Sequence, residues 1–147
     1  MSEDQRYVDN NDETITDTKT GLIWAKEDSW LKEGRWVTWD EADEYAMYLN
    51  GIKFGGHHGW HLPNIEVGKT IIWNELANKD KYGKPILLNP IFPEGSQAKV
   101  WLKEPMSGSE GYFIDLTTGE IETKFKSVAG RMGARPVLNL KNWRPSS

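Results

Sequence analysis

The chain has only three histidines, His57, His58 and His61, and they lie within five residues of one another. Imidazole nitrogens ligate zinc and can act as a general acid or base. A zinc site also needs a further ligand and neighbouring groups that orient each imidazole, and this short segment does not supply them. We therefore expect a structural or surface role for the cluster and no metal site.

Two oxygen-rich segments imitate calcium-binding sequences. Residues 9–13 follow the opening of an EF-hand loop, but Thr14 stands where that loop requires glycine and Thr20 where it requires a bidentate glutamate. The triplet Trp73-Asn74-Glu75 imitates a calcium-dependent sugar site, but we predict that it lies on a helix. The sequence therefore predicts no calcium site, and we expect no cofactor.

The sequence contains no motif that is typical of covalent catalysis. The chain contains no cysteine, which excludes thiol nucleophiles, thiolate zinc sites and disulfides together. No recognisable arrangement of serine, histidine and carboxylate is present, and no Gly-rich phosphate loop. We predict no catalytic residue and a protein that is not an enzyme.

The length and the net charge of the chain limit the number of domains and the classes of protein to which it can belong. A chain of 147 residues fits one domain, and we predict a single domain over 1–147 with its core at about 6–141. The net charge of -4 argues against nucleic-acid binding, which depends on a basic face. No apolar run approaches the length of a membrane span or of an export signal, so we expect no membrane insertion and leave export open.

Eight tryptophans are a heavy load for a chain whose mean hydropathy is -0.67. Most tryptophans in proteins are largely buried. Those that are exposed provide flat, rigid contact area with one polar atom, which suits carbohydrate or protein recognition. We therefore expect some of these indoles in the core and others at a contact surface.

The first half of the chain predicts a hairpin and a helix. Alternating apolar residues around a Gly-bearing turn predict a hairpin over 14–26. The segment 27–37 follows neither strand nor helix spacing and is predicted to be a loop. Thr38 and Glu41 form a capping box for a helix that ends near Asn50-Gly51.

The second half predicts one more helix and several strands. A short strand over 59–63 is followed by a helix from Asn64 to about Ala77, with Ile65, Ile72 and Leu76 on its inner face. Residues 78–98 are predicted to be a long loop. Antiparallel strands complete the chain, at 99–102, 112–116, 120–125 and 134–140.

Two packing predictions follow from these elements. We predict that Trp24, Trp39, Trp60 and Leu62 form one core that joins the hairpin, the first helix and the central strand. Arg135 lies on an apolar strand, so a buried guanidinium needs a carboxylate or backbone carbonyls, and Asp115 is the candidate carboxylate. An arginine that extends into solvent is the alternative.

Several segments, in this order, resemble the C-terminal domain family of bacterial collagen-like adhesins. The resemblance covers about residues 6–141, and Trp101, Gly119 and Arg135 fall at further positions typical of the family. Its main landmarks are Asp9-Asn10-Asn11-Asp12-Glu13-Thr14-Ile15-Thr16-Asp17, Thr20-Gly21-Leu22-Ile23-Trp24, Thr38-Trp39-Asp40-Glu41-Ala42, Gly59-Trp60-His61-Leu62-Pro63-Asn64 and Asn89-Pro90-Ile91-Phe92-Pro93.

The resemblance implies a C-type-lectin-like α+β fold, with small antiparallel sheets, two helices and long loops that present the ligand surface. It also implies a bacterial adhesion or recognition module, and members of the family are mostly exported. Binding to sulfated polysaccharide is implied for the adhesin. The absence of a strongly basic face argues against the same ligand here.

We therefore expect a non-catalytic recognition module whose ligand is a carbohydrate or a protein surface. The alternative is a structural or accessory subunit of a larger assembly, which would use the same aromatic loops as a protein interface. The contact surface is predicted in the loops 27–37, 78–98 and 103–111. The predicted ligand-binding residues are Trp30, Arg35, Trp36, Tyr82 and Lys103.

Overall fold

The computed structural model describes residues 5–104 and 108–145. In this part of the chain, ten β-strands and three α-helices form two four-stranded sheets, one two-stranded hairpin and the helices between them. All strand pairs but one are antiparallel. The predicted mixed α+β class with small antiparallel sheets is confirmed, with three helices where two were expected.

The first sheet contains the predicted hairpin and joins it to the far end of the chain. Its strands are β1 Tyr7–Asp9, β2 Thr14–Asp17, β3 Ile23–Ala25 and β10 Val137–Leu138, in the order β1-β2-β3-β10. The β2–β3 turn depends on Gly21, whose φ of 81° is in the left-handed region that glycine adopts at little cost. The prediction of a hairpin over 14–26 is confirmed, and β1 adds an edge strand to it.

The segment 27–37 is not a plain loop, because it contains the short helix α1, Ser29–Glu33. The Asp28 side chain accepts a hydrogen bond from the Leu31 amide at the start of the helix, and Gly34 ends it with a φ of 69°. Five residues are too few to show helical spacing in a sequence. The Asp28 cap and the glycine stop were the only available signals.

Helix α2, Trp39–Gly51, begins where the capping box predicts. The Glu41 amide donates to the Thr38 hydroxyl, and the Thr38 amide donates to the Glu41 carboxylate. The predicted end is wrong by about one residue, because Asn50 and Gly51 are still helical and the cap is Ile52. The Asn50 side chain instead accepts hydrogen bonds from the Gly59 and Trp60 amides.

Replacing Thr38 with alanine is expected to lower the free energy of unfolding by about 1 kcal/mol, because the Glu41 amide at the helix start loses its acceptor. Urea denaturation followed by far-ultraviolet circular dichroism measures the change. Ser127→Ala is the control, since Ser127 is exposed and its loss should change stability by less than about 0.5 kcal/mol. Equal effects of the two substitutions would contradict the assigned cap.

Helix α3, Ile65–Lys69, is capped by Asn64 as predicted but is far shorter than the expected 64–77. The run Thr70-Ile71-Ile72 is β-branched and disfavours a continued helix. Beyond it, the Trp73 amide donates to the Leu87 carbonyl of another segment. The prediction that Leu76 lies on an inner helix face is wrong, since Leu76 is exposed. None of the described helices is long and apolar enough to cross a membrane.

Two further segments, the predicted strand 59–63 and the predicted loop 78–98, also differ from the prediction. The segment 59–63 forms no strand, and only an isolated bridge joins His61 to Val137. The predicted loop 78–98 contains a small hairpin of β4 Asn78–Lys79 and β5 Pro85–Ile86. Strands of two residues are too short to show an alternating pattern, which explains why the sequence indicated only a loop.

The second sheet has the order β8-β7-β6-β9. Its strands are β6 Lys99–Trp101, β7 Glu110–Asp115, β8 Glu120–Phe125 and β9 Met132–Gly133. β7 and β8 form the predicted hairpin, and β6 pairs with β7 antiparallel and with β9 parallel. The strands predicted at 99–102, 112–116 and 120–125 are therefore confirmed.

The strand predicted at 134–140 is wrong in its extent, because only Val137 and Leu138 of that range form a strand. β9 ends at Gly133 and pairs with the second sheet, whereas β10 begins at Val137 and pairs with the first. Between them lie Arg135 and Pro136, and proline has no amide hydrogen to donate to a ladder. This short crossing ties the two sheets together.

The buried side chains form two clusters, not the single core that we predicted. Adjacent residues of a strand point to opposite faces. Val100 and Ile114 accordingly belong to one cluster, and Trp101 and Phe113 to the other, so the strands β6 and β7 bury side chains on both faces of the second sheet.

The four residues of the predicted core are divided between these clusters. Trp24 lies in the cluster of Val100, whereas Trp60 and Leu62 lie in the other cluster, against which Trp39 is partly buried. Trp24 and its neighbour Ala25 fall in different clusters because the first sheet, like the second, separates them. The predicted burial of Trp24, Trp60 and Leu62 is confirmed, but their joint packing is wrong.

Candidate functional site

An exposed aromatic pair, Trp30 and Trp36, stands at the two ends of the α1 segment. The two indoles are stacked, with ring centroids 6.3 Å apart and planes inclined by 26°. Trp30 is half-buried, and Trp36 is 44% exposed. The prediction left open whether these indoles are pinned to the domain or displayed, and the structure shows one partly pinned and one displayed.

Charged side chains surround the aromatic pair. The Lys81 ammonium lies 5.3 Å from the centroid of the Trp30 ring, an arrangement that attracts the cation to the ring face. Arg35 is exposed and contacts the carboxylates of Glu33 and Glu41 at 3.2 and 3.8 Å. Arg35 therefore lies beside the pair, as predicted, but its charge is shared with two acids.

A buried polar network holds α1 in place beneath the pair. The Asp28 carboxylate accepts hydrogen bonds from the Leu31 amide at 2.9 Å and from the Gln97 amide at 2.8 Å. The Ser29 amide donates to the Ala134 carbonyl, and the Ala134 amide donates to the Ser29 hydroxyl. Burial raises the pKa of Asp28, and the charge of Arg135 partly opposes that shift.

Arg135 completes this network from the crossing between the sheets. It is 2% exposed, and its guanidinium donates to the backbone carbonyls of Ala25 and Lys26. The predicted need for a partner is confirmed, and the solvent alternative is wrong. The candidate Asp115 is also wrong, because that carboxylate caps its own turn through Thr117. Burial lowers the pKa of Arg135, and the charge of Asp28 is the main influence that opposes this shift.

A polar cleft of about 420 Å³ opens where the 78–98 segment meets the second sheet. This volume is within the range of small-ligand sites, about 300–1,000 Å³. Side chains of both charges line the cleft, and those that bear on binding are Asp80, Lys84, Gln97, Lys99, Asp115 and Arg131. We call this cavity the polar cleft.

Tyr82 and Arg131 form one wall of the polar cleft. The Arg131 guanidinium lies 4.9 Å from the centroid of the Tyr82 ring, and Tyr82 is exposed. Arg131 has a φ of 65°, in a region that non-glycine residues enter at a cost of order 1–3 kcal/mol. The backbone therefore holds an arginine at the cleft in a conformation that would suit glycine better.

Two connections place the aromatic pair beside the polar cleft. Lys81, which contacts Trp30, directly precedes Tyr82 of the cleft wall. On the other side, the Val37 amide donates to the Met132 carbonyl at 3.1 Å, which brings the residues after Trp36 and Arg131 together. Four of the five predicted ligand-binding residues, Trp30, Arg35, Trp36 and Tyr82, therefore belong to one neighbourhood.

Lys103, the fifth predicted residue, contacts a different set of side chains. Its ammonium donates to the Asp43 carboxylate at 2.8 Å and lies 6.0 Å from the centroid of the Trp39 ring. The structure does not bring Lys103 into contact with the aromatic pair. Residues 105–107 of the predicted 103–111 loop lie outside the described part of the chain.

The histidine cluster and the calcium-like turn hold protein partners. His58 and His61 contact the backbone carbonyls of Asn50 and Leu62 through their Nδ1 atoms. Asp9 binds Lys26, and this hydrogen bond lowers the pKa of Asp9. Among the described residues, no group of three or more histidine, aspartate or glutamate side chains could hold a metal ion.

Sequence reasoning missed three residues that shape the site. Asp80 is followed by Tyr82-Gly83, and its carboxylate accepts from the Tyr82 and Lys84 amides, so an aspartate turn was the available signal. Gln97 and Arg131 gave no signal, because neither belongs to a motif or to a regular spacing. Their role depends on a cavity that only the tertiary structure forms.

Comparison with known proteins places the chain in a family. The family model described as the Lcl C-terminal domain matches residues 13–138, which is well over half of the chain. No curated protein matches it. No solved structure matches it either. The match covers α1, the polar cleft, the second sheet and every strand of the first sheet except β1. The resemblance seen in the sequence is therefore confirmed: the chain belongs to the Lcl C-terminal domain family.

Proposed function

We propose that this protein is a non-catalytic recognition module, with a C-type-lectin-like arrangement, that binds a carbohydrate or a protein surface. Membership of the Lcl C-terminal domain family supports a binding or accessory role. The observation that carries the proposal is the exposed aromatic pair, because two indoles stacked at a surface provide the flat area on which recognition sites are built.

The network beneath the pair supports this interpretation. Asp28 and Ser29 are fully buried, and they fix α1 to Gln97 and Ala134. A contact surface that is rigid before the ligand arrives loses less conformational entropy on binding. The network therefore holds α1 and its residue Trp30 in place, and Trp36 stacks on Trp30, which makes the pair suitable as a preformed contact site.

The surroundings of the pair also fit a binding role. The polar cleft adjoins it, and the carboxylates that line this cleft are already engaged in turns. Asp80 accepts from the Tyr82 and Lys84 amides, and Asp115 accepts from Thr117. Carboxylates that are held in turns fit the binding of a ligand better than a proton-transfer role, which supports a module that binds without reacting.

The proposal predicts that Trp36→Ser weakens ligand binding strongly without unfolding the protein. The exposed indole contributes little to stability, so the melting temperature should change by no more than about 2–4 °C. Binding is measured on an array that carries neutral glycans, acidic glycans and purified extracellular proteins. Wild-type protein should bind one class of probe, and the variant should lose at least about tenfold in affinity.

Phe125→Ser is the matched control for this experiment. Phe125 is 58% exposed on β8, so its replacement removes a comparable aromatic surface outside the pair. The control should bind like the wild type. Two results would count against the proposal: no binding by the wild-type protein to any probe, or an equal loss of binding in the two variants.

A second candidate function is that of an accessory subunit, and one observation favours it. Met47, Tyr48 and Ile52 are more than half exposed at the end of α2, which leaves apolar surface on this helix uncovered. Such a surface fits a protein interface. In this case Met47→Ser and Tyr48→Ser together would remove a co-purifying subunit from the native protein, whereas Trp36→Ser would leave it bound.

A further inference from the structure

The polar cleft offers hydrogen-bond acceptors in fixed positions. Asp80 uses its Oδ1 atom for the Tyr82 and Lys84 amides, and Asp115 uses its Oδ1 atom for the amide and hydroxyl of Thr117. Within the described residues, the Oδ2 atom of each carboxylate takes part in no hydrogen bond or ion pair. Each turn therefore orients one carboxylate and leaves one oxygen for a ligand donor.

The same cleft offers donors that the protein does not use. Lys84, Lys99 and Arg131 line it, and their side chains form no hydrogen bond or ion pair with other described residues. Gln97 also lines it and is 1% exposed, and its Nε2 atom is buried without a partner among the described residues. A buried amide without a partner costs free energy, and a polar ligand in contact with it would offset that cost.

The charges of the cleft narrow the chemistry of its ligand. Two carboxylates face three cations, so an anion gains from the lysines and Arg131 but is repelled by Asp80 and Asp115. Lys99 and Asp115 are directly opposite each other across β6 and β7, which balances their charges locally. An uncharged ligand whose groups both donate and accept hydrogen bonds fits the carboxylates and the cations of the cleft at the same time.

We propose that the polar cleft binds a neutral sugar of one or two rings, whose hydroxyls donate to Asp80 and Asp115 and accept from Lys84, Lys99, Gln97 and Arg131. This inference rests on the proposed recognition function and names its ligand class. The adjacent aromatic pair supports a sugar over an amino acid, because the flat apolar face of a sugar ring packs on an indole. A longer neutral glycan then extends from the cleft over Trp36.

Amide chemical shifts in ¹H–¹⁵N correlation spectra test the proposal. The probes are four neutral disaccharides, namely maltose, cellobiose, lactose and diacetylchitobiose, with inorganic phosphate and glutamate as charged probes. At least one disaccharide should shift the amides of 80–84, 97–99, 115–117 and 131 in a saturable manner. Phosphate and glutamate should shift them less, because neither satisfies both the donors and the acceptors.

Arg131→Gly removes a ligand donor without endangering the fold. Glycine suits the φ of 65° at this position, so the melting temperature should stay the same or rise. The loss of a charged hydrogen-bond donor should weaken disaccharide binding by about tenfold or more. Lys53→Gly is the matched control, since Lys53 is also an exposed cation with a positive φ, of 50°, but does not line the cleft.

The possible results separate this inference from the proposed function. Disaccharide binding that shifts only the Trp30 and Trp36 indoles and is unchanged in Arg131→Gly would overturn the cleft assignment while the recognition role stands. Stronger shifts from phosphate or glutamate would replace the neutral sugar by an anionic or zwitterionic ligand and overturn the inference. The absence of cleft shifts from every disaccharide would also overturn it.

Discussion

Replacing Trp60 with alanine is expected to lower the free energy of unfolding by about 3–5 kcal/mol. The indole is 2% exposed, packs edge-on against Phe54 at a centroid distance of 5.4 Å, and donates its Nε1 hydrogen to the Phe54 carbonyl. The substitution therefore opens a cavity and also leaves a carbonyl without its donor. A domain of this size has a stability of about 5–15 kcal/mol, so the variant should be close to unfolded at moderate temperature.

Denaturant titration of the purified variant, followed by tryptophan fluorescence and circular dichroism, measures this loss. Trp36→Ala is the matched control, because it removes the same side chain at a site that is 44% exposed. The control should lose less than about 1 kcal/mol. Similar losses in the two variants would contradict the different burial of these tryptophans.

Asp28→Ala is expected to lower the free energy of unfolding by about 3–5 kcal/mol, comparable to the loss at Trp60. The substitution removes the acceptor for the Leu31 and Gln97 amides and takes a compensating carboxylate away from Arg135, which is itself buried. Each buried amide that loses its acceptor costs about 1–3 kcal/mol, and the loss of the nearby acid makes the burial of the Arg135 charge less favourable.

A double-mutant cycle separates the charge interaction from the lost hydrogen bonds. Arg135→Met keeps an apolar side chain of similar length, so the double variant should be less destabilised than the sum of the single variants. Asp40→Ala is the control for Asp28→Ala, since Asp40 is an exposed aspartate in the first turn of α2 and should lose less than about 1 kcal/mol. Additive effects at Asp28 and Arg135 would show that the two groups do not interact.

Local signals in the sequence predicted those elements that are determined by neighbouring residues. The capping box of Thr38 and Glu41 fixed the start of α2, and the Gly-bearing turns fixed the hairpins of β2–β3 and β7–β8. Both kinds of signal lie within a few residues of the element that they define. Their geometry does not depend on distant parts of the chain, which explains why these predictions are confirmed.

Elements that depend on distant partners were predicted poorly. The length of α3 was overestimated because the β-branched run of Thr70, Ile71 and Ile72 only weakly disfavours a helix, and the pairing of the Trp73 amide with Leu87 depends on a distant segment. The single core was wrong because the sheets separate Trp24 from Trp60, and strand order cannot be read from alternation alone. The partner of Arg135 was misplaced because the carbonyls of Ala25 and Lys26 lie about 110 positions away in sequence.

In the candidate site, too, the residues with a local signal were predicted and those that depend on the folded chain were not. Trp30, Trp36 and Tyr82 were identified because large aromatic residues stand out in segments that the sequence predicts to be loops. Arg131 and Gln97 were not identified, since an exposed arginine and an isolated glutamine are common in any sequence. What distinguishes them is a left-handed backbone and a buried amide without a partner, and both are properties of the folded chain.

The pairing of β10 with β3 has a consequence for the order in which the protein folds during synthesis. Val137 lies opposite Trp24, so the first sheet gains its fourth strand only after Val137 and Leu138 have left the ribosome, more than a hundred residues after β3. Until then β3 presents an unpaired edge, and such edges favour association between nascent chains. Contacts of this sequence separation also slow folding, because a long loop must close before they form. The pairing with β10 therefore protects the β3 edge only late in synthesis, and we expect the early hairpin of β2 and β3 to be the part most exposed to association before then.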